Sequence, residues 1–293
     1  MRMDNEGESG NVEDVRGRSG GGGGFGIGGR SVGLGTVAVA VIAGWIFGIN
    51  PLTLLGLAGG DSSQVQTESR GPAPAPPAND AQARFVSQVL HSTEVVWTDL
   101  FREAGQTYQP PKLVLFSGSY PTACGQGQAA MGPFYCPNDR KVYIDLRFYD
   151  VMERKLGAPG QFAQAYVIAH EVGHHVQNAL GVMDKVDAMR RRGSEAQANA
   201  LSVRLELQAD CFAGAWASRS QKKEGWRLEQ GDIETALNAA AQIGDDTLQR
   251  RGQGTVVPES FTHGSSAQRV AWFKRGLEGG SIERCNTFES RDL

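Results

Sequence analysis

The chain has 293 residues, a formal net charge of -3 and a 40% share of hydrophobic residues. That balance excludes the basic stripe of a nucleic-acid binder and supplies the apolar side chains that a folded core needs. Composition is uneven along the chain, which divides into four parts.

Residues 1–30 are charged and then glycine-rich, nearly every position from 20 to 29 being glycine. Such a segment has too few apolar groups to offset chain entropy, and disorder is the expectation. Residues 31–60 carry no charged side chain, and positions 32–49 (VGLGTVAVAVIAGWIFGI) are continuously apolar or small. This approaches the length of about 20 residues that a membrane-spanning helix requires. Arg2, Arg16, Arg18 and Arg30 precede it and only Arg70 follows closely. The positive-inside rule then predicts a single-pass membrane protein with a cytoplasmic N-terminus and an extracytoplasmic domain. Residues 61–79, with Gly71-Pro-Ala-Pro-Ala-Pro-Pro, read as an extended tether. Residues 80–293 have a normal size for one folded domain.

That domain opens with an amphipathic helix over 80–104, carrying Phe85, Val89, Val96, Leu100 and Phe101 at helical spacing. Strands are predicted at 113–116 and 142–146, separated by a Gly-rich loop. Helices follow at 161–180, 194–218, 231–243 and 265–277. Strands followed by helices give an α+β class, mostly helical with a small sheet.

The helix at 161–180 contains His170-Glu171-Val172-Gly173-His174-His175. Positions i and i+4 share a helix face, so His170 and His174 offer two imidazoles to one metal ion. Glu171, beside them, is placed to accept a proton from a metal-bound water, the arrangement of zinc peptidases. His175 points about 100° away from His174 and is expected to pack or to make an outer contact. A catalytic zinc needs a third protein ligand, with water in the fourth position. A third histidine six residues after His174 is excluded, because Leu180 stands there. The helix at 194–218 supplies Glu206 and Asp210, again i and i+4, among Leu205, Ala209, Phe212 and Ala213. Buried carboxylates need partners. Glu206 as zinc ligand, with Asp210 orienting a ligand histidine, satisfies both; Asp210 or Glu195 as the ligand is the remaining option. His263, ahead of the last helix, is the candidate second donor for the oxyanion, with Tyr166 and Tyr149 as alternatives. The four cysteines allow three pairings. Cys124 and Cys136 flank the Gly-rich segment and are expected to join, leaving Cys211 with Cys285.

His170-Glu-Val-Gly-His-His-Val-Gln177, Glu206-Leu-Gln-Ala-Asp210 and Thr262-His-Gly-Ser-Ser-Ala-Gln-Arg269 together resemble the putative neutral zinc metallopeptidases of bacteria. The charged, Gly-rich head before one apolar stretch extends the resemblance over nearly the whole chain. It implies a zincin-like fold, Zn2+ on His170, His174 and Glu206, Asp210 as helper of a ligand, and a peptide or protein substrate. It also implies a sheet edge near residues 143–145 along which extended substrate lies. The expected activity is endopeptidase hydrolysis with Glu171 as general base and His263 assisting. The alternative is a membrane-tethered, zinc-binding scaffold or assembly factor without hydrolytic activity. A structural zinc would require a fourth protein ligand, and none is evident in the sequence.

Overall fold

The computed structural model describes residues 1–3, 6–17, 73–129, 132–223, 226–291 and 293. The first long helix, α1 (Ala81–Glu103), starts where Asp80 accepts hydrogen bonds from the Gln82 and Ala83 amides. This satisfies two of the donors a helix start leaves free. The predicted apolar stripe is the face it buries, with Trp97 edge-on to Phe212 at 5.3 Å.

Six short strands among the described residues match the expected pattern only in part. A four-stranded sheet has the order β1 (Val12–Asp14), β2 (Lys112–Leu115), β6 (Lys141–Ile144), β5 (Phe134–Cys136). β1, β2 and β6 run parallel, and β5 runs antiparallel to β6. Strands β3 (Ser119–Thr122) and β4 (Gly125–Gln128) form a separate hairpin. The predicted strands correspond to β2 and β6. Because β6 lies between β2 and β5, the edge expected near 143–145 is not there; the edge on that side of the sheet is β5.

The described part of the N-terminal head, residues 1–3 and 6–17, packs on the domain instead of being disordered, while the glycine-rich run 20–29 lies outside the described residues. Met3, Val12 and Val15 are buried, and β1 adds to the sheet beside β2. Lys112 and Lys141 both donate to Glu13, Ser9 and Asn11 donate to Glu94, and Glu6 contacts His91. A few apolar residues in the right register, with matched charges, suffice to dock a strand on a formed edge; segment composition averages over that register. Residues 18–72, which include the apolar run 32–49 and most of the expected tether, lie outside the described residues.

The chain on either side of that stretch is joined, because the Asp14 amide donates to the Pro74 carbonyl at 2.9 Å. Residues 12–14 and the domain belong to one sheet, so they cannot lie on opposite faces of a bilayer. Among the described residues no helix is long and apolar enough to cross a membrane. The single-pass topology with an extracytoplasmic domain is therefore corrected.

Helices form the second layer: α2 (Phe148–Arg154), α3 (Gln161–Ala179), α4 (Val182–Arg190), α5 (Glu195–Ser220), α6 (Asp232–Gln242), α7 (Asp245–Gln253) and α8 (Ser266–Gly279). The α3 helix is buried along most of its length and ends at Gly181, which takes a φ of 69° just past the C-cap Leu180. α5 and α8 each begin with a capping box, Ser194 with Gln197 and Ser265 with Gln268. α8 lies directly on the backbone of α5. A Cβ placed on Gly276 would come 1.9 Å from the Cys211 carbonyl, and one on Gly214 would come 2.0 Å from that of Phe273. Both expected disulfides are present, Cys124–Cys136 and Cys211–Cys285.

Candidate metal centre

His170 and His174 stand one turn apart on α3, with ring centroids 4.8 Å apart. Glu206 reaches them from α5, its Oε2 3.1 Å from His170 Nε2 and its Oε1 3.5 Å from His174 Nε2. The three donor atoms lie within 4.8 Å of one another. The helices approach this closely because Gly173 faces α5, where a Cβ would meet the Ala209 carbonyl at 3.0 Å. No fourth His, Cys, Asp or Glu among the described residues joins the group. Two imidazoles and one carboxylate suit a borderline cation such as zinc and leave a position for water.

The electrostatics also favour a cation at this point. Burial opposes a charged His170, but Asp210 and Glu206 outweigh it and push the ring up to about 10. Burial likewise opposes the Glu206 carboxylate, yet His174, His170 and His263 hold it well below the ordinary carboxylate range. Glu171 has no such compensation. Burial raises it to about 7, against smaller opposing effects from His170 and a backbone hydrogen bond from Tyr135 of β5.

Behind the centre, each imidazole is held by its second nitrogen. His170 Nδ1 donates to Asp210 Oδ1 at 2.8 Å. Tyr166 donates its hydroxyl to the same oxygen at 2.5 Å, and Arg269 of α8 donates to both carboxylate oxygens at 2.8 and 2.9 Å. Asp210 is fully buried and Arg269 is 2% exposed, so the pair survives only because every partner is in place. His174 Nδ1 lies 2.9 Å from Gln177 Oε1. His175 turns the other way, as expected, donating from Nε2 to the Gln109 carbonyl at 2.7 Å and accepting from Tyr135.

His263 sits on the loop between α7 and α8. Asp245 organises that loop, its Oδ2 accepting the amides of Thr262, His263 and Gly264 at 2.7, 2.6 and 3.1 Å. Its Oδ1 lies 3.2 Å from His263 Nδ1. Burial lowers the His263 pKa, but Asp245 and Glu206 outweigh it and raise it. The His263 ring is 40% exposed and close enough to Glu206 for each charge to act on the other.

The structure thus brings His170, Glu171, His174, Glu206 and Asp210 together, with His263 near Glu206. It does not bring in the other residues considered. Tyr166 is committed to Asp210, the buried Tyr149 hydroxyl has no partner among the described residues, and Glu195 stands in the first turn of α5, about three turns before Glu206. Arg269, Asp245, Gln177 and Tyr135 were given no role in the sequence, although Gln177 and Arg269 close two of the motifs that carry the resemblance. Gln177 had a local signal, since i+3 from His174 is a neighbouring position on a helix. Arg269 and Asp245 had none of their own, because their partners lie 59 and 18 residues away.

The family described as putative neutral zinc metallopeptidase matches residues 1–288. The uncharacterized protein YpfJ of Escherichia coli K12 is 51% identical over 292 residues, covering 98% of this chain and 99% of YpfJ. The uncharacterized protein Rv2575 of Mycobacterium tuberculosis H37Rv is 42% identical over 212 residues, 69% of each chain. No solved structure matches the chain.

Proposed function

We propose that this chain, which belongs to the putative neutral zinc metallopeptidase family, hydrolyses peptide bonds as an endopeptidase. One observation carries the reading: the three donors of His170, His174 and Glu206 converge beside the buried carboxyl of Glu171, and burial raises that carboxyl to about 7. A general base is most effective when its pKa lies near the working pH.

Zinc held by His170, His174 and Glu206 would act as a Lewis acid on the scissile carbonyl and lower the pKa of a coordinated water to about 7. Glu171 takes the proton of the attacking water and delivers it to the leaving amine. Asp210 keeps the Nδ1 proton on His170, so that Nε2 would be the nitrogen offered to the cation. Asp245 holds His263 by Nδ1, leaving Nε2 to donate to the developing oxyanion. The outer edge of β5 offers extended substrate a strand to pair with. That strand also contacts the base, through the Tyr135 amide.

The test is Glu171→Gln in the purified, zinc-loaded chain, against a library of quenched peptides. Turnover should fall by about 10²–10⁴-fold, while bound zinc, measured by elemental analysis, stays equimolar. Full turnover in the variant would remove Glu171 from the mechanism. A zinc-loaded native chain that cleaves no peptide in the library would overturn the reading.

A further inference from the structure

The two ligand histidines are held in different ways, and the second has no carboxylate behind it. Its Nδ1 faces the side-chain amide of Gln177, which is fully buried. An amide presents either an acceptor or a donor, so its orientation decides which nitrogen of His174 carries the proton.

Two backbone carbonyls settle that orientation. Gln208 Nε2 lies 2.9 Å from the Cys285 carbonyl, which only accepts, so the Gln208 NH2 group points there. Its oxygen is then turned toward Gln177, whose Nε2 lies 3.1 Å away. The same Nε2 lies 2.7 Å from the Leu205 carbonyl, again an acceptor. Both N–H groups of Gln177 are therefore used, and its oxygen is turned toward His174 Nδ1. Reversing either amide would set an oxygen against a carbonyl in a dry interior and leave a buried acceptor unmet, which is destabilising.

We infer that Gln177 and Gln208 are positioning residues that fix His174 as the Nδ1–H tautomer, with the polarity of the chain set by the Leu205 and Cys285 carbonyls. Nε2 is thereby left as a lone pair facing Glu206 and His170. Cys285 is bonded to Cys211 of α5, so the C-terminal segment that carries this carbonyl is tied to the helix that supplies Glu206. The competing arrangement would place the proton on Nε2, toward Glu206 Oε1, but that contact is 3.5 Å, against 2.9 Å to Gln177. The inference rests on the metal reading of His174 for its functional meaning, but not for its test.

The decisive measurement uses the intact, metal-free protein with 15N-labelled histidine, by long-range 1H–15N NMR at pH 8. His174 is expected to show the Nδ1–H pattern; a predominant Nε2–H pattern would overturn the inference. Gln177→Met keeps the volume and removes the acceptor. It should move His174 toward Nε2–H and weaken zinc binding, read by competition with a chromophoric chelator, by about 10–100-fold. Gln208→Met leaves Gln177 its bond to Leu205 and should weaken binding less than Gln177→Met does. Gln177→Met with native tautomer and zinc affinity would also overturn the inference. If Gln177→Met fails to fold, the native-protein spectrum still decides. A native chain that binds no zinc but shows Nδ1–H would refute the metal reading alone.

Discussion

Glu171 shows how a site residue acts against the fold that holds it. It is buried, and desolvation raises its pKa from 4.5 to about 7. A carboxyl with a raised folded pKa binds more protons folded than unfolded between those values, so its contribution to stability declines as pH rises from 4.5 to about 7. Glu171→Gln removes that slope. The metal-free variant should be more stable than the native chain at pH 8, by on the order of 2–3 kcal/mol since each pKa unit is worth about 1.4, and close to it at pH 4.5. Urea unfolding at the two pH values measures this; equal stability at pH 8 would show that the carboxylate is not desolvated. His170, Glu171 and His174 were legible in the sequence because their geometry is local: a helix converts a spacing of four into a shared face. Asp210 was legible as a buried carboxylate in need of a partner, but its strongest partner, Arg269, was not. Nothing in the sequence places position 269 against position 210 until α8 packs on α5.

At the scale of elements, the packing of α8 on α5 decides whether Arg269 reaches Asp210. Their contact relies on Gly214 and Gly276, where backbone approaches backbone. Gly276→Ala gains helix propensity of about 1 kcal/mol but forces the helices apart. The net effect should be a loss of about 2 kcal/mol or more, as overpacked sites show. Gly252→Ala, on α7 with open space around it, is the matched control and should be neutral or stabilising. Chemical denaturation midpoints separate the two.

The strand β1 is a second such element. Burial opposes ionisation of Glu13, but hydrogen bonds from Lys112 and Lys141 outweigh it and hold the carboxyl below its ordinary 4.5. With the folded pKa depressed, this support is present above about pH 4.5, the unfolded value, and is lost as pH falls through the folded one. Acid should therefore loosen β1 ahead of the rest of the sheet. Hydrogen exchange at residues 12–15, corrected for intrinsic rates, should quicken below pH 4 in the native chain; in Glu13→Gln that acid-dependent change should be absent.

For the whole molecule, the consequence of β1 is topological. Residues before and after the stretch 18–72 meet in one sheet, with the Asp14 amide on the Pro74 carbonyl. Hydropathy and arginine placement pointed to head and domain on opposite sides of a bilayer; a shared hydrogen-bonded sheet is incompatible with that. Single cysteines introduced at Gly10 and at Arg250 should respond alike to a membrane-impermeant maleimide in intact cells. Labelling at one position and protection at the other would restore the crossing.

The sequence by itself pointed to the two imidazoles, the glutamate between them, the carboxylate pair on a later helix and the class of fold, and it gave the expected pairing of the four cysteines that the structure shows. These follow from periodicities of one helix and from a small set of cysteines, which need no knowledge of neighbours. Only the tertiary structure decided that Arg269 anchors Asp210, that Asp245 shapes the His263 loop, that two glutamines back His174, that β5 is the sheet edge near Glu171, and that residues 12–15 join the domain. Each of these depends on contacts between segments far apart in the chain, and such contacts are set by how whole elements pack.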